Sequence, residues 1–167
     1  KHLLNINGQL LMSPESLLKK LLHQLLKYMK YTKTMIDKII LASKSGVRKK
    51  ILEKNLIKFI VDPSNVDEDS VKDSLLKENA SPEIISKNLA ELKANKISQK
   101  RNNNLVLGAD SVIDLKGKII SKPTNRDEAL KILQNLNGQK HHLISSVCIS
   151  QNGSMIWNYT DRAFLTM

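Results

Sequence analysis

From residue 39 onward, short and almost wholly apolar runs alternate with segments whose apolar residues recur at helical spacing. Residues 39–42 and 105–109 are apolar runs of the length expected for strands buried on both faces, and residues 57–61 predict a third strand. The segments between these strands repeat apolar residues at about the 3.6-residue helical period. This alternation predicts an α/β domain.

Three helices are predicted, each starting at a residue that suits a helix N-terminus: Ser43 or Ser45, Ser81 before Pro82, and Thr124. The third is expected to end at Gly138, the residue type favoured just beyond a helix C-terminus. In the second helix, Ile85, Leu89 and Leu92 predict the buried stripe. Lys93 then lies beside the buried stripe rather than opposite it.

Turn residues predict two hairpins. Asn152-Gly153, the strongest short hairpin signal, joins residues 142–150 to 155–165. Lys116-Gly117 joins two shorter strands, and Asp110 is expected to end the strand before them. Because the chain stops inside the last strand pattern, we expect a domain that is incomplete at its C-terminus, with an exposed sheet edge.

Residues 1–34 differ from the rest of the chain by holding ten leucines. Leu18, Leu21, Leu22, Leu25 and Leu26 follow the 3.6-residue period, with a helix start at Ser13-Pro14. One interpretation is an amphipathic appendage. The other is that the segment is not native coding sequence and that translation starts at Met29 or Met35.

The charge of the chain at first suggests phosphate-bearing partners. Basic residues outnumber acidic ones by 27 to 16, a net charge of +11, but seven lysines against Glu15 and Asp37 place +5 of it in residues 1–38. Lys outnumbers Arg by 23 to 4 and aromatic residues make up 4% of the chain, so groups that contact guanine or stack on bases are scarce. Nucleic-acid binding is therefore disfavoured.

Cysteine content and hydropathy indicate a cytoplasmic protein without a membrane segment. Cys148 is the sole cysteine, so an intrachain disulfide cannot form and a thiolate-rich zinc site is disfavoured. The apolar stretches fall well short of the ~18 residues that a membrane span needs.

The segment Ser43-Lys44-Ser45-Gly46-Val47-Arg48 follows a buried strand and begins a helix. Helix N-terminal amides, the hydroxyls of Ser43 and Ser45 and the guanidinium of Arg48 are groups that bind an anionic oxygen. The alternative is an ordinary N-cap followed by a solvated basic face, since the segment is not a Walker A loop.

Carboxylates occur at two positions where ligands often bind. Asp67-Glu68 follows a strand and a proline turn, and divalent cations prefer such oxygen ligands, although acidic pairs in loops are often simply solvated. Asp110 follows a buried strand, at the edge where open α/β sheets place ligands, although Asp also commonly forms turns there.

The remaining polar candidates are weaker. Lys93 and Lys122, taken alone, are typical of surface lysines. His141 and His142 are adjacent in a predicted strand and point to opposite faces, so they cannot readily bind one metal ion. Cys148 lies in the middle of a strand and is predicted to be a core residue rather than a nucleophile.

Taken in order, these segments resemble the Maf family of nucleoside triphosphate pyrophosphatases, also called septum formation proteins, in its alphaproteobacterial branch. The resemblance covers residues 38–167 within a domain predicted over 35–167. The resemblance rests on seven segments of the sequence, which are Ile40-Leu41-Ala42-Ser43-Lys44-Ser45 with Arg48, Val66-Asp67-Glu68, Leu89-Ala90 with Lys93-Ala94, Gly108-Ala109-Asp110, Ser121-Lys122-Pro123, Glu128-Ala129, and Leu136-Asn137-Gly138 with His141.

The resemblance implies a fold like that of Maf proteins and inosine triphosphatases: a twisted mixed sheet flanked by helices, with two lobes around a cleft. It implies hydrolysis of nucleoside triphosphates to monophosphate and diphosphate, action on noncanonical or modified nucleotides, a role in cell-division arrest, and a homodimer. Asp110 would accept the proton and, with Glu68, hold Mg²⁺ or Mn²⁺. The triphosphate would be bound by Ser43, Ser45, Arg48, Lys93 and Lys122.

The chain departs from the family pattern at two positions that bear on substrate choice. Val47, after Gly46, replaces a usual arginine, and Ser111 stands where enzymes for thymidine and uridine triphosphates have threonine. The family's last strand–helix region is also absent. The alternative to an enzyme is therefore a truncated, catalytically inactive protein that binds nucleotide or a partner.

Overall fold

The computed structural model describes residues 38–166 together with Lys20, His23, Gln24 and Lys27. These four N-terminal residues are helical, whereas the predicted helix start at Ser13-Pro14 and the leucine stripe lie outside the described residues. Residues 35–37 and 167 of the predicted domain also lie outside them. The structure therefore leaves the nature of residues 1–34 and the bounds of the domain as predictions.

Six strands form one mixed sheet with helices on both faces, which confirms the predicted α/β class. The strands are β1 (Ile39–Leu41), β2 (Phe59–Val61), β3 (Val106–Leu115), β4 (Lys118–Ile120), β5 (Lys140–Gln151) and β6 (Ser154–Thr166). They lie in the order β2-β1-β3-β5-β6, with β4 paired to β3. β1 runs parallel to β2 and β3, and the other pairs are antiparallel.

Four helices lie between the strands: α1 (Gly46–Lys54), α2 (Glu68–Lys77), α3 (Pro82–Ser98) and α4 (Arg126–Leu136). The predicted N-caps Ser45 and Ser81 are confirmed, since each side chain accepts a hydrogen bond from a backbone amide of its helix. The predicted cap Thr124 is wrong by one residue, because the Asn125 side chain accepts from the amide of Glu128 at 2.8 Å. The pattern did not predict α2.

Both predicted hairpins are present. Asn152 and Gly153 join β5 to β6 with φ values of 52° and 84°, and Lys116 and Gly117 join β3 to β4 with φ values of 53° and 84°. Two successive residues with positive φ are the type I′ geometry that matches strand twist. Gly138 also has a positive φ, 68°, just beyond the end of α4, as predicted.

The two faces of the sheet pack against different helices. On one face, the α3 residues Ala90, Ala94 and Ile97 pack against β1, β3 and β5. On the other face, Leu52 of α1 packs in a second apolar cluster. The predicted burial of Leu92 is wrong: it is 41% exposed, because Lys93, four residues after Leu89, continues the buried face of α3 instead.

The described helices are all too short or too polar to cross a bilayer. No membrane-spanning helix is therefore present in the part of the chain that the structure describes.

Candidate active site

One edge of β3 has an opening in the middle of the sheet. β5 pairs along the other edge, while β1 pairs with this edge as far as Leu107 and β4 pairs with it from Ile113 onward. Among the described strands, none pairs with residues 108–112 on this edge. Asp110 lies at the middle of the opening, and the loop from β1 to α1 starts at Ala42, whose amide donates to the carbonyl oxygen of Leu107 at 2.9 Å.

Asp110 lies inside β3, so the prediction that it ends the strand is wrong. β3 continues to Leu115, and Asp110 pairs with Ser146 of β5. Its carboxylate is buried, at 3% exposure, and Lys93 of α3, at 4% exposure, donates to Oδ1 at 2.7 Å. A buried charge is tolerated only when it is paired, and this lysine supplies the pairing.

The close approach of α3 to β3 depends on Gly108. A Cβ at this position would lie 2.1 Å from the carbonyl oxygen of Ala90 and 2.8 Å from the amide nitrogen of Ala94. The missing side chain lets the α3 backbone lie directly against β3, two residues before Asp110. This contact is what brings Lys93 within hydrogen-bonding distance of the buried carboxylate.

The acidic pair Asp67-Glu68 divides into two roles. Asp67 caps α2, its Oδ1 accepting from the amide of Ser70 at 3.1 Å, while Glu68 is the first helical residue. Glu68 Oε1 lies 2.8 Å from Lys93 Nζ, and Glu68 Oε2 lies 3.0 Å from Lys122 Nζ. The solvated-pair alternative therefore fails for Glu68, which joins two lysines that are distant in sequence.

Electrostatics keep Glu68 ionised. Partial burial alone would raise its pKa, but the hydrogen bonds and charges of Lys93 and then Lys122 outweigh burial and lower the pKa to about 2. The Glu68 carboxylate can therefore act as an anion or as a metal ligand.

The loop between β1 and α1 is held by its own side chains. Ser43 Oγ accepts from Arg48 Nη1 at 3.0 Å and from the amide of Ser45 at 3.2 Å, while Ser45 Oγ accepts from the amide of Arg48 at 3.4 Å. Burial lowers the pKa of Arg48, and the charges of Asp110 and Glu68 oppose that shift. An arginine in this setting remains charged, so its guanidinium is a fixed cation at the helix start.

The predicted polar residues converge on one cavity of about 440 Å³. All five predicted substrate-binding residues and Glu68 line it: Ser43, Ser45, Arg48, Lys93, Lys122 and Glu68. Asp110 does not line it but lies behind Lys93, to which it is hydrogen-bonded. Lys44, Ser64 and Asn65 also line the cavity, although the sequence did not predict them as site residues. Ser64 and Asn65 lie in the turn that follows β2 at Pro63, and this turn is the sequence feature that could have indicated them.

Two predicted specificity residues lie away from this cavity. Val47 is 54% exposed and is not part of the lining. Ser111 follows Asp110 and so projects from the opposite face of β3, where its hydroxyl lies 2.8 Å from that of Ser145. A role for either in substrate choice stays a prediction.

The other candidates behave as core or surface residues. His141 is buried with Nδ1 near the carbonyl oxygen of Gln139, whereas His142 faces Asp114, so the two imidazoles do not converge. Cys148 is 1% exposed, and burial raises its pKa to about 11, which confirms a core role. No group of three or more His, Cys, Asp or Glu side chains is placed to hold a metal within the described residues.

Comparison with known proteins identifies the family. The family model described as "Maf-like protein" matches residues 38–167. A nucleoside triphosphate pyrophosphatase from Pelagibacter ubique is 75% identical over 133 residues, which are 80% of this chain and 68% of the relative. A nucleoside triphosphate pyrophosphatase from Ruegeria pomeroyi is 43% identical over 129 residues, which are 77% of this chain and 65% of the relative.

The chain thus spans about two thirds of the length of these curated relatives. Among solved structures, a HAM1 protein from Coxiella burnetii matches with a TM-score of 0.48 and 14% identity, over 78% of this chain and 71% of that chain. The family model and the sequence relatives show that the chain belongs to the Maf family.

Proposed function

We propose that this chain hydrolyses nucleoside triphosphates to nucleoside monophosphate and diphosphate. The observation that carries the proposal is one cavity that Arg48, Lys93, Lys122 and the half-buried carboxylate of Glu68 line, with the buried carboxylate of Asp110 bonded to Lys93 behind it. Clustered cations suit a polyphosphate, and carboxylates beside them suit phosphoryl-transfer chemistry. The names of the Pelagibacter and Ruegeria relatives support the same activity.

The loop before α1 would bind phosphate oxygens. The amides at a helix start have no backbone partner within the helix, and the helix dipole favours negative charge at that end. In α1 the cap Ser45 accepts from one of them, the amide of Arg48. Ser45 and Arg48 lie at this helix start and line the cavity. Lys93 and Lys122 approach the same space from other elements, so the cations surround a polyphosphate rather than a single phosphate.

We propose Mg²⁺ or Mn²⁺ as the cofactor, held by Asp110 and Glu68. Among the described residues, Asp110 Oδ2 is buried without a hydrogen-bond partner, so one oxygen of the pair is left for a ligand. Two carboxylates from the protein leave the other positions to water and phosphate oxygens, as Mg²⁺ prefers. When bound, such a cation supplies stabilisation of charge on the phosphate oxygens.

Asp110 is proposed to act as the general base. A water molecule held by its carboxylate would attack the α-phosphorus, forming a new oxygen–phosphorus bond as the bond to the diphosphate breaks. The proton passes to Asp110 and then to solvent. Lys93 lies between Asp110 and the cavity, so it would stay paired with the carboxylate while its ammonium group also faces the phosphates, where with Arg48 it neutralises developing charge.

The finer parts of the function rest on the family resemblance. The cavity offers side chains to phosphate rather than to a base, which suits a range of bases including noncanonical or modified nucleotides. We also propose a cytoplasmic location, a homodimer, and a link to cell-division arrest.

The activity is tested by incubating the full chain with a panel of nucleoside triphosphates, with Mg²⁺, with Mn²⁺ and with chelator. Products are separated by ion exchange and identified by ³¹P NMR. We expect monophosphate and diphosphate in the presence of either cation. Nucleoside diphosphate with free phosphate would overturn the reaction assigned here, and tight nucleotide binding without turnover would favour the non-enzymatic alternative.

A further inference from the structure

The cations and carboxylates of the cavity neutralise one another in this structure. Lys93 bridges Asp110 and Glu68, and Lys122 bonds the second oxygen of Glu68. A cation that binds Glu68 must therefore compete with ammonium groups already in place. A polyphosphate entering the cavity would offer those ammonium groups new partners.

Lys122 and Lys93 differ in how freely they can exchange partners. The Lys93 side chain is 5% exposed and is fixed between two carboxylates, whereas the Lys122 side chain is 76% exposed and contacts Glu68 alone of the described acidic residues. Lys122 lies between β4 and α4, while Glu68 begins α2, so their contact crosses the cavity from one element to another. The exposed lysine is the one that can move without leaving a buried charge unpaired.

We propose that Lys122 is a latch on Glu68: it occupies the carboxylate in the empty site and passes to the polyphosphate when nucleotide binds, which frees Glu68 for the divalent cation. This inference rests on the proposed nucleotide site and adds to it a coupling between the binding of nucleotide and the binding of the divalent cation. Because such coupling is reciprocal, nucleotide strengthens cation binding by the same factor by which the cation strengthens nucleotide binding.

The size of the effect follows from the exposure of the pair. Exposed ion pairs are weak, so release of the latch corresponds to a change in cation affinity of up to about fivefold. Lys122→Gln removes the ammonium group but keeps a long polar side chain. We expect this variant to bind Mn²⁺ about three- to fivefold more tightly than the parent in the absence of nucleotide.

Lys44 provides a matched control, because removal of any nearby positive charge favours cation binding. Lys44 lines the same cavity, is exposed, and has no salt bridge with the described acidic residues. Lys44→Gln therefore removes the same charge without removing a contact to Glu68. We expect it to change Mn²⁺ affinity by less than about twofold.

The experiment measures free Mn²⁺ by electron paramagnetic resonance during titration of the full chain, its Lys122→Gln variant and its Lys44→Gln variant. The first arm contains no nucleotide, and the second adds an α,β-methylene triphosphate that cannot be hydrolysed between those phosphates. In the first arm, we expect only Lys122→Gln to bind Mn²⁺ more tightly than the parent. In the second arm, we expect the nucleotide analogue to increase Mn²⁺ affinity less in Lys122→Gln than in the parent.

An equal increase in Mn²⁺ affinity in Lys122→Gln and Lys44→Gln would overturn the latch. An unchanged Mn²⁺ affinity in Lys122→Gln, or the absence of Mn²⁺ binding in all three proteins, would also overturn it. The readout is independent of turnover. If no triphosphate is hydrolysed but the expected pattern of Mn²⁺ affinity is found, the proposed reaction fails and the latch stands.

Discussion

Gly108→Ala tests whether the close packing of α3 against β3 positions the residues of the site. The added Cβ would lie 2.1 Å from the carbonyl oxygen of Ala90, 2.8 Å from the amide nitrogen of Ala94 and 2.9 Å from its Cβ. Favourable contacts lie near 3.5 Å or more, so α3 must move by about 1.4 Å to relieve the 2.1 Å contact. None of these atoms belongs to a flexible side chain, so no rotation relieves the clash.

The movement has consequences for stability and for activity. Overpacking a core costs about 1–3 kcal/mol, and a clash with backbone belongs at the upper end, so we expect the free energy of unfolding to fall by about 3 kcal/mol. Moving α3 also separates Lys93 from Asp110, which are 2.7 Å apart. A displacement of about 1 Å in a catalytic site can cost about 100-fold in rate, and we expect a similar loss of triphosphate turnover.

Urea unfolding followed by circular dichroism measures the first effect, and diphosphate release without denaturant measures the second. Gly46→Ala is the control for stability, since a Cβ there has nothing within 4 Å and the residue begins α1. We expect this variant to be at least as stable as the parent. Unfolding of Gly108→Ala at the same urea concentration as the parent would refute the reasoning.

Three further predictions concern buried or paired groups. Lys93→Met leaves the carboxylates of Asp110 and Glu68 without their shared cation, so the free energy of unfolding in urea should fall by about 3–5 kcal/mol; an unchanged value would contradict the bridge. The pKa of Glu68 is lowered from 4.5 to about 2, so its stabilising contribution is present above pH 4.5 and is lost as the pH falls toward 2. Glu68→Gln should flatten the plot of stability against pH in this range, and parallel plots for the two proteins would argue against it. Burial raises the pKa of Cys148 to about 11, so its thiol should resist alkylation at about pH 8 in the folded chain and react in urea, and rapid labelling of the folded chain would be inconsistent with a core position.

Features that depend on a few neighbouring residues were predictable from the sequence. The caps Ser45 and Ser81 act on amides within three residues, and the Asn152-Gly153 turn acts through its own positive φ values. No helix was predicted at α2, because its start lies at a proline turn and an acidic pair, which are typical of a loop. The same Asp67 that suggested a loop is the cap of this helix.

Features that depend on distant residues were not predictable from pattern alone. An aspartate after an apolar run is typical of a strand end, yet β3 continues past Asp110 because Lys93 of α3 neutralises its charge. The contact of Lys122 with Glu68 likewise joins segments that are far apart in the chain. The residue types of the site could be named from sequence and resemblance, but their pairing could not.

The central claim is that Asp110 drives hydrolysis in this cavity, and Asp110→Asn tests it most directly when affinity and turnover are measured together. Asp114→Asn, the same substitution further along β3, is the matched control. We predict that Asp110→Asn binds an α,β-methylene triphosphate within a few-fold of the parent but releases diphosphate about 10³-fold more slowly, while Asp114→Asn keeps the parent rate. Turnover by Asp110→Asn at the parent rate would contradict the account.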